Sequence, residues 1–209
     1  MDRRIDLPRR LHRIAALLTG LYVLVHLVNH LMALKGVAAH IAFMQGVRTL
    51  TRVPAVEALL LAAVALQAGS GLRLLWRRRG QRRLPFDRQQ ALSGAYLAFF
   101  LLVHVVSVLF GRAVLGLDTN FYYAAAGLQV KPYHLFFVPY YGLAVTALFV
   151  HMACALRRHV PAHVPLAART RLAWGGVAIG AFMAVVVVAA FSGAFYAIDV
   201  PPAYRATFS

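Results

Sequence analysis

The chain has 209 residues, 61% hydrophobic and only 13% charged, with a mean hydropathy of +0.69, whereas a soluble domain is roughly 45–50% apolar and about 25% charged. That balance excludes an ordinary soluble domain and predicts one integral membrane domain over residues 1–209. The formal charge of +16 raises nucleic acid as a partner, but the placement of the basic residues along the chain argues for membrane topology instead.

Crossing a hydrocarbon core takes roughly 20 apolar residues, and five runs meet that length, at about 11–34, 54–76, 90–110, 134–156 and 172–198. The expected fold is all-α, a bundle of five transmembrane helices. Arg3, Arg4, Arg9 and Arg10 precede the first run. A signal peptide has an apolar region of only about 7–15 residues, and a basic flank explains the arginine pairs better than a twin-arginine signal, so the first helix is expected to be retained. Residues 38–50 follow with apolar side chains at helical spacing and His40, Gln45 and Arg48 between them, as for a segment lying at the interface.

The second run ends in a loop over 77–88 that is too basic for the bilayer and carries Pro85, so the third helix is expected to begin near Gln90. Residues 111–131 turn polar and aromatic, with Asp118, Asn120, Tyr122 and Tyr123, and Tyr133, Tyr140 and Tyr141 follow; tyrosines at that level suit a headgroup belt. Cys154, the single cysteine, reads as a small core residue of the fourth helix, since one thiol closes no internal disulfide and cannot hold an iron–sulfur cluster. Pro161 and Pro165 break the next loop, and Gly176 and Gly180 give the fifth helix a G-x-x-x-G spacing suited to close packing.

Sixteen of the 22 Lys and Arg residues fall on one side of this topology: Arg3, Arg4, Arg9, Arg10 and Arg13; Arg73, Arg77, Arg78, Arg79, Arg82, Arg83 and Arg88; and Arg157, Arg158, Arg169 and Arg171. The positive-inside rule then puts the N-terminus in the cytoplasm and the C-terminus outside; the expected location is the inner membrane of a prokaryote. The same basic face suits an acidic partner or anionic lipid. Dinucleotide, P-loop, serine-hydrolase and zinc-protease patterns are missing from the sequence, so any substrate chemistry belongs to another polypeptide.

Ionisable side chains inside a bilayer are costly and need a partner or a role. His26 lies about 15 residues into the first helix and His104 about 14 into the third, roughly 22 and 21 Å deep at 1.5 Å per residue. Both helices run the same way, so the two imidazoles share a layer and are placed to clamp a haem iron from two sides. His151 lies about 16 residues into the inward-running fourth helix, roughly 24 Å from its outer end. It belongs to a second layer, where the matching residue on the second helix is Gln67. Interhelical hydrogen bonding, worth about 0.6 kcal/mol on average, is the plainer account of any one of these histidines; their shared depth favours haem. Zinc is disfavoured because acidic and thiol ligands are missing from these layers. His30, one turn beyond His26, is a rival ligand or a quinone contact, and His12, His134, His159 and His163 receive no function.

Taken in order, these residues resemble the five-helix, type B cytochrome b subunit of succinate dehydrogenase and fumarate reductase. The carriers are Arg9-Arg10-Leu11-His12, Gly20 through His26-Leu27-Val28, Ala38-Ala39-His40, Ser93-Gly94 with His104 ten residues on, and Tyr141-Gly142 leading to His151. The match spans roughly residues 7–158, and the fifth helix matches only in kind. The resemblance implies a membrane anchor with two b haems held by four histidines, and a flavoprotein and an iron–sulfur protein docked on the cytoplasmic face. His26 and His104 would ligate the outer haem and His151 the inner one. The remaining inner ligand falls at Gln67, where Gln67 and Gly71 look like the family's His-x-x-x-Gly with the histidine replaced, so that one haem or two are expected.

For a quinone, expected to be menaquinone, hydrogen-bonding candidates are His30, His40, Gln45 and Tyr122 on the outer side and Arg13, Arg88 and Ser93 on the inner side. The reading is a haem b anchor of a succinate:quinone oxidoreductase or fumarate reductase, with no dicarboxylate chemistry on this chain. Its rivals are the cytochrome b of another quinone-linked dehydrogenase or hydrogenase, and a haem-free transporter or assembly protein whose histidines relay protons or join helices.

Overall fold

The computed structural model describes residues 7–81, 84–161 and 163–208; Arg3, Arg4, Arg82 and Arg83, counted above in the basic segments, lie outside the described residues. Eight α-helices follow in order: α1 (Leu7–Met32), α2 (Val37–Thr51), α3 (Pro54–Arg77), α4 (Pro85–Ala113), α5 (Phe121–Gln129), α6 (His134–His159), α7 (Leu166–Phe191) and the single turn α8 (Pro202–Arg205). Five of them, α1, α3, α4, α6 and α7, are long and apolar enough to cross a membrane.

The spans match the five apolar runs, and the differences at their ends have local causes. Helix α4 starts at Pro85 rather than near Gln90, because proline at the first helical position loses no hydrogen bond and already has helical φ. Helix α7 begins right after Pro165 and stops at Phe191, seven residues short of the hydropathy boundary, where Gly193 takes φ +82° and turns the chain out of the helix. Gly36, at φ 109°, makes the corresponding turn between α1 and α2 and folds α2 back beside α1.

Successive spans alternate in direction. Helix α1 packs on α3, α3 on α4, α4 on α6 and α6 most extensively on α7, while α7 touches α1 more lightly. The glycine spacing in α7 serves the tightest of these contacts. A Cβ on Gly180 would run into Phe149 of α6, and one on Gly176 would stand 3.6 Å from Ala153. Small residues at such a crossing let two backbones approach where lipid offers no hydrophobic drive to association. Cys154 is buried, as expected of a small core residue.

The outward faces are apolar: Leu17, Leu135 and Phe182 are 76%, 71% and 71% exposed. Side chains so exposed are what a lipid-facing surface requires. The largest buried cluster sits at the end of the bundle opposite the start of α1, where α5 inserts Phe121, Ala125, Ala126 and Leu128 against Val187 and Phe191 of α7. Residues 111–131 thus form a plug with a buried face. The tyrosines near it tie elements together through their hydroxyls, Tyr196 donating to the Ala33 carbonyl at 2.6 Å and Tyr204 to that of Asp118 at 2.9 Å.

All four described carboxylates are in ion pairs: Glu57 with Arg112, Asp87 with Arg158, Asp118 with Arg48 and Arg52, and Asp199 with Arg205. The end that carries the start of α1 holds only Asp87 among them, against a dozen described arginines. We call it the basic end.

Overpacking a tight contact costs about 1–3 kcal/mol. Gly180→Ala is therefore expected to lower the thermal midpoint of the detergent-purified protein by several degrees. Gly175→Ala, whose new methyl meets nothing within 4 Å, is expected not to lower it.

Candidate functional site

A cavity of about 1030 Å³ runs along the inside of the bundle between α1, α3, α4 and α6, and every histidine singled out within the spans lines it. The histidines gather in two rows. His12 and His26 lie on one face of α1, fourteen residues or nearly four turns apart, which separates the rows by about 21 Å.

The row farther from the basic end contains His26, His30, His40 and His104. The rings of His26 and His104, on α1 and α4, have centroids 6.1 Å apart. Phe100 stacks on His104 at 5.1 Å, and Tyr22 on His26 at 5.7 Å. A hydrogen-bonded file leads away from His26: its Nε2 is 3.1 Å from His30 Nε2, and His30 Nδ1 is 3.4 Å from His40 Nε2. The Asn29 amide donates to His40 Nε2 at 3.2 Å, so that nitrogen carries no proton in this arrangement and His40 is neutral. Its other ring nitrogen is buried without a partner. Burial pushes the His40 imidazole down to about 4, and the nearby charges of His26 and Arg48 act in the same direction.

At the basic end the second row is built from four helices. His151 of α6 holds its Nδ1 3.1 Å from the Gln90 carbonyl of α4, with Ser93 Oγ at 3.4 Å. His12 of α1 lies across α3, its Nδ1 3.0 Å from Ser70 Oγ and its Nε2 3.3 Å from the Gln67 amide nitrogen. Two glycines leave room for these rings: a Cβ on Gly71 would stand 3.2 Å from His12 Cε1, and one on Gly94 2.9 Å from His151 Cε1. The side-chain oxygens of Gln67 and Gln90 are buried without a partner.

The structure thus gathers His26, His104, His30 and His40 in one row, and His151, Gln67 and Ser93 in the other. Arg13, Arg88 and Gln45 are exposed and do not line the cavity. Tyr122 packs beside Phe121 and Tyr204, also away from the cavity. Sequence reasoning passed over His12, Gln90 and Asn29. The spacing between His12 and His26 was the available sign, because it puts both on one helical face.

Among the described residues no group of three or more His, Cys, Asp or Glu is arranged to hold a metal ion. A metal that brings its own equatorial ligands needs two side chains on opposite sides. With bonds of roughly 2 Å to each imidazole and a ring nitrogen about 1 Å from its centroid, such a metal asks for centroids about 6 Å apart. The 6.1 Å between His26 and His104 fits that demand.

No protein-family model, curated protein or solved structure matches this chain.

The state of His40 sets a pH dependence. Unfolded, its imidazole titrates near 6.5, and folded near 4, so the unfolded chain binds more protons in between. The contribution is fully present above pH 6.5 and is lost as pH falls towards 4. His40→Gln is expected to make the acid limb of thermal midpoint against pH shallower over that window, and an unchanged slope would contradict the assignment.

Proposed function

We propose that this chain is a haem b membrane anchor that passes electrons between a docked iron–sulfur and flavoprotein module and membrane quinone, as in the succinate dehydrogenase and fumarate reductase anchors that its sequence resembles. The observation that carries the reading is the pair His26 and His104, whose rings face one cavity from two helices at a spacing that suits a metal between them.

Bound haem supplies a one-electron couple, whose potential the axial ligands, burial and neighbouring hydrogen bonds set. The chain's part is to hold the ligands and keep them dry. His26 and His104 would hold the haem iron between two imidazoles and leave no open site for oxygen, with Phe100 stacked on His104 and Tyr22 on His26 to restrict their tilt. Apolar residues form most of the remaining lining, including Leu60, Leu61, Val64 and Leu101.

In this reading the basic end faces the cytoplasm of a prokaryote, in keeping with the positive-inside rule. Its arginines offer an electropositive face to the flavoprotein and iron–sulfur subunits or to anionic lipid. Dicarboxylate chemistry stays on those subunits. Quinone, in our reading menaquinone, is served best by His30 and His40, because they share the cavity and the row with His26. Ser93, beside His151, is the corresponding group at the basic end.

One observation favours a second reading. The atom of His26 that would bind a metal, Nε2, is the one within 3.1 Å of His30, and the file runs as a chain of donors from His26 through His30 to the unprotonated Nε2 of His40. That is the arrangement of a proton relay in a haem-free transporter. The two readings differ in what His104 does, since it stands outside the file.

His104→Ala is expected to abolish the haem bound at this row and leave its absorbance lost or reduced by one haem per chain. A tagged wild-type chain is expected to co-purify with a flavoprotein and an iron–sulfur protein. Unchanged haem content in the variant would rule out the ligand assignment, and hydrogenase subunits in the preparation would redirect the partner assignment.

A further inference from the structure

We infer that His12 is the second axial ligand of a haem at the basic end, opposite His151, in the place where the sequence pattern leaves Gln67. The inference rests on the cytochrome reading and goes beyond it, since that reading alone gives this row only one histidine ligand.

Hydrogen-bond polarity fixes which nitrogen of each ring carries the proton. Ser70 has one hydroxyl proton and gives it to the Leu66 carbonyl, so its oxygen must accept from His12 Nδ1–H at 3.0 Å. The Gln90 carbonyl can only accept, so His151 also carries its proton on Nδ1, donating at 3.1 Å. Both imidazoles therefore have an unprotonated Nε2, and that of His12 accepts from the Gln67 amide at 3.3 Å, a contact that a metal at this nitrogen would replace. Metal-binding histidines are commonly oriented this way, with the second ring nitrogen donating to an oxygen of the protein. His26 is not prepared in that manner, because its Nε2 carries the proton that it donates to His30.

Position supports the same pairing. His12 Nε2 lies 3.3 Å from the Gln67 amide, so the ring of His12 occupies the neighbourhood a histidine at 67 would have filled. Gly71, four residues on, leaves space for that ring, as Gly94 does for His151. Both histidines line the same cavity. The side-chain oxygens of Gln67 and Gln90 beside them are buried without a hydrogen-bond partner. Helix α1 would then supply a ligand to each row, His12 and His26, and reach a different opposing helix in each.

The test is haem per chain by pyridine haemochrome on full-length protein purified from membranes, with variants at both rows. Wild type is expected to hold two haems, and His12→Ala one, which the further change His104→Ala removes. His12→Ala combined with Gln67→His is expected to return to two, because it restores an imidazole from α3. The haem that His12→Ala retains shows that the variant is folded. Two haems in His12→Ala would overturn the assignment, as would a wild type with one haem whose content His151→Ala leaves unchanged. A wild type with no haem would instead overturn the cytochrome reading itself, so the two failures are distinct.

Discussion

A hydrocarbon solvent offers imidazole no hydrogen bonds, so a histidine in a membrane helix must turn inward and find its partner on another helix. Much of this molecule's interior is arranged around that requirement. His12 reaches Ser70 and Gln67 on α3, His151 reaches Gln90 on α4, and His26 meets His30, which α2 supports from outside the spans through His40. The glycines that let rings lie against neighbouring helices, Gly71 and Gly94, belong to the same solution. Side chains larger than hydrogen there would push the rings away from the groups that satisfy them.

The cavity follows from these constraints. Where α6 and α7 meet, Gly180 and Gly176 draw the backbones together and the interior is filled. Between α1, α3, α4 and α6 the rings and amides hold the helices apart, and the space between them is large and mostly apolar with polar groups at two levels. Well-formed apolar pockets with a few convergent polar groups are where ligands bind. The plug formed by α5 and α7 covers the far end, and the arginine-rich face marks the other, so the two rows stand between differently built surfaces.

Much of this was legible in the sequence, and the parts that were not have physical reasons. Hydropathy alone gives the five spans, because a lipid-crossing helix must be long and apolar. It does not give their ends, which Pro85 and Gly193 set through backbone geometry. Residues 121–129 read as a tyrosine-rich belt because local composition cannot show that Phe121 will be buried against Phe191. Shared depth brought His26 and His104 together, but His40 enters their row only because Gly36 turns α2 back, a tertiary event. His12 was passed over because it sits within a turn or two of a helix end, where a histidine ordinarily meets water or headgroups. Its fourteen-residue spacing from His26 was readable, whereas the contact with Gln67 that gives the spacing meaning was not.

The central claim is that these inward imidazoles hold haem, and its most direct test is a dithionite-reduced-minus-oxidised spectrum of the purified wild-type chain. The account predicts the narrow α band of a low-spin b-type cytochrome, unaltered by carbon monoxide because both axial positions are filled. A preparation without a visible haem spectrum, made with haem supply ample in the host, would contradict it and leave the histidine file as a proton relay.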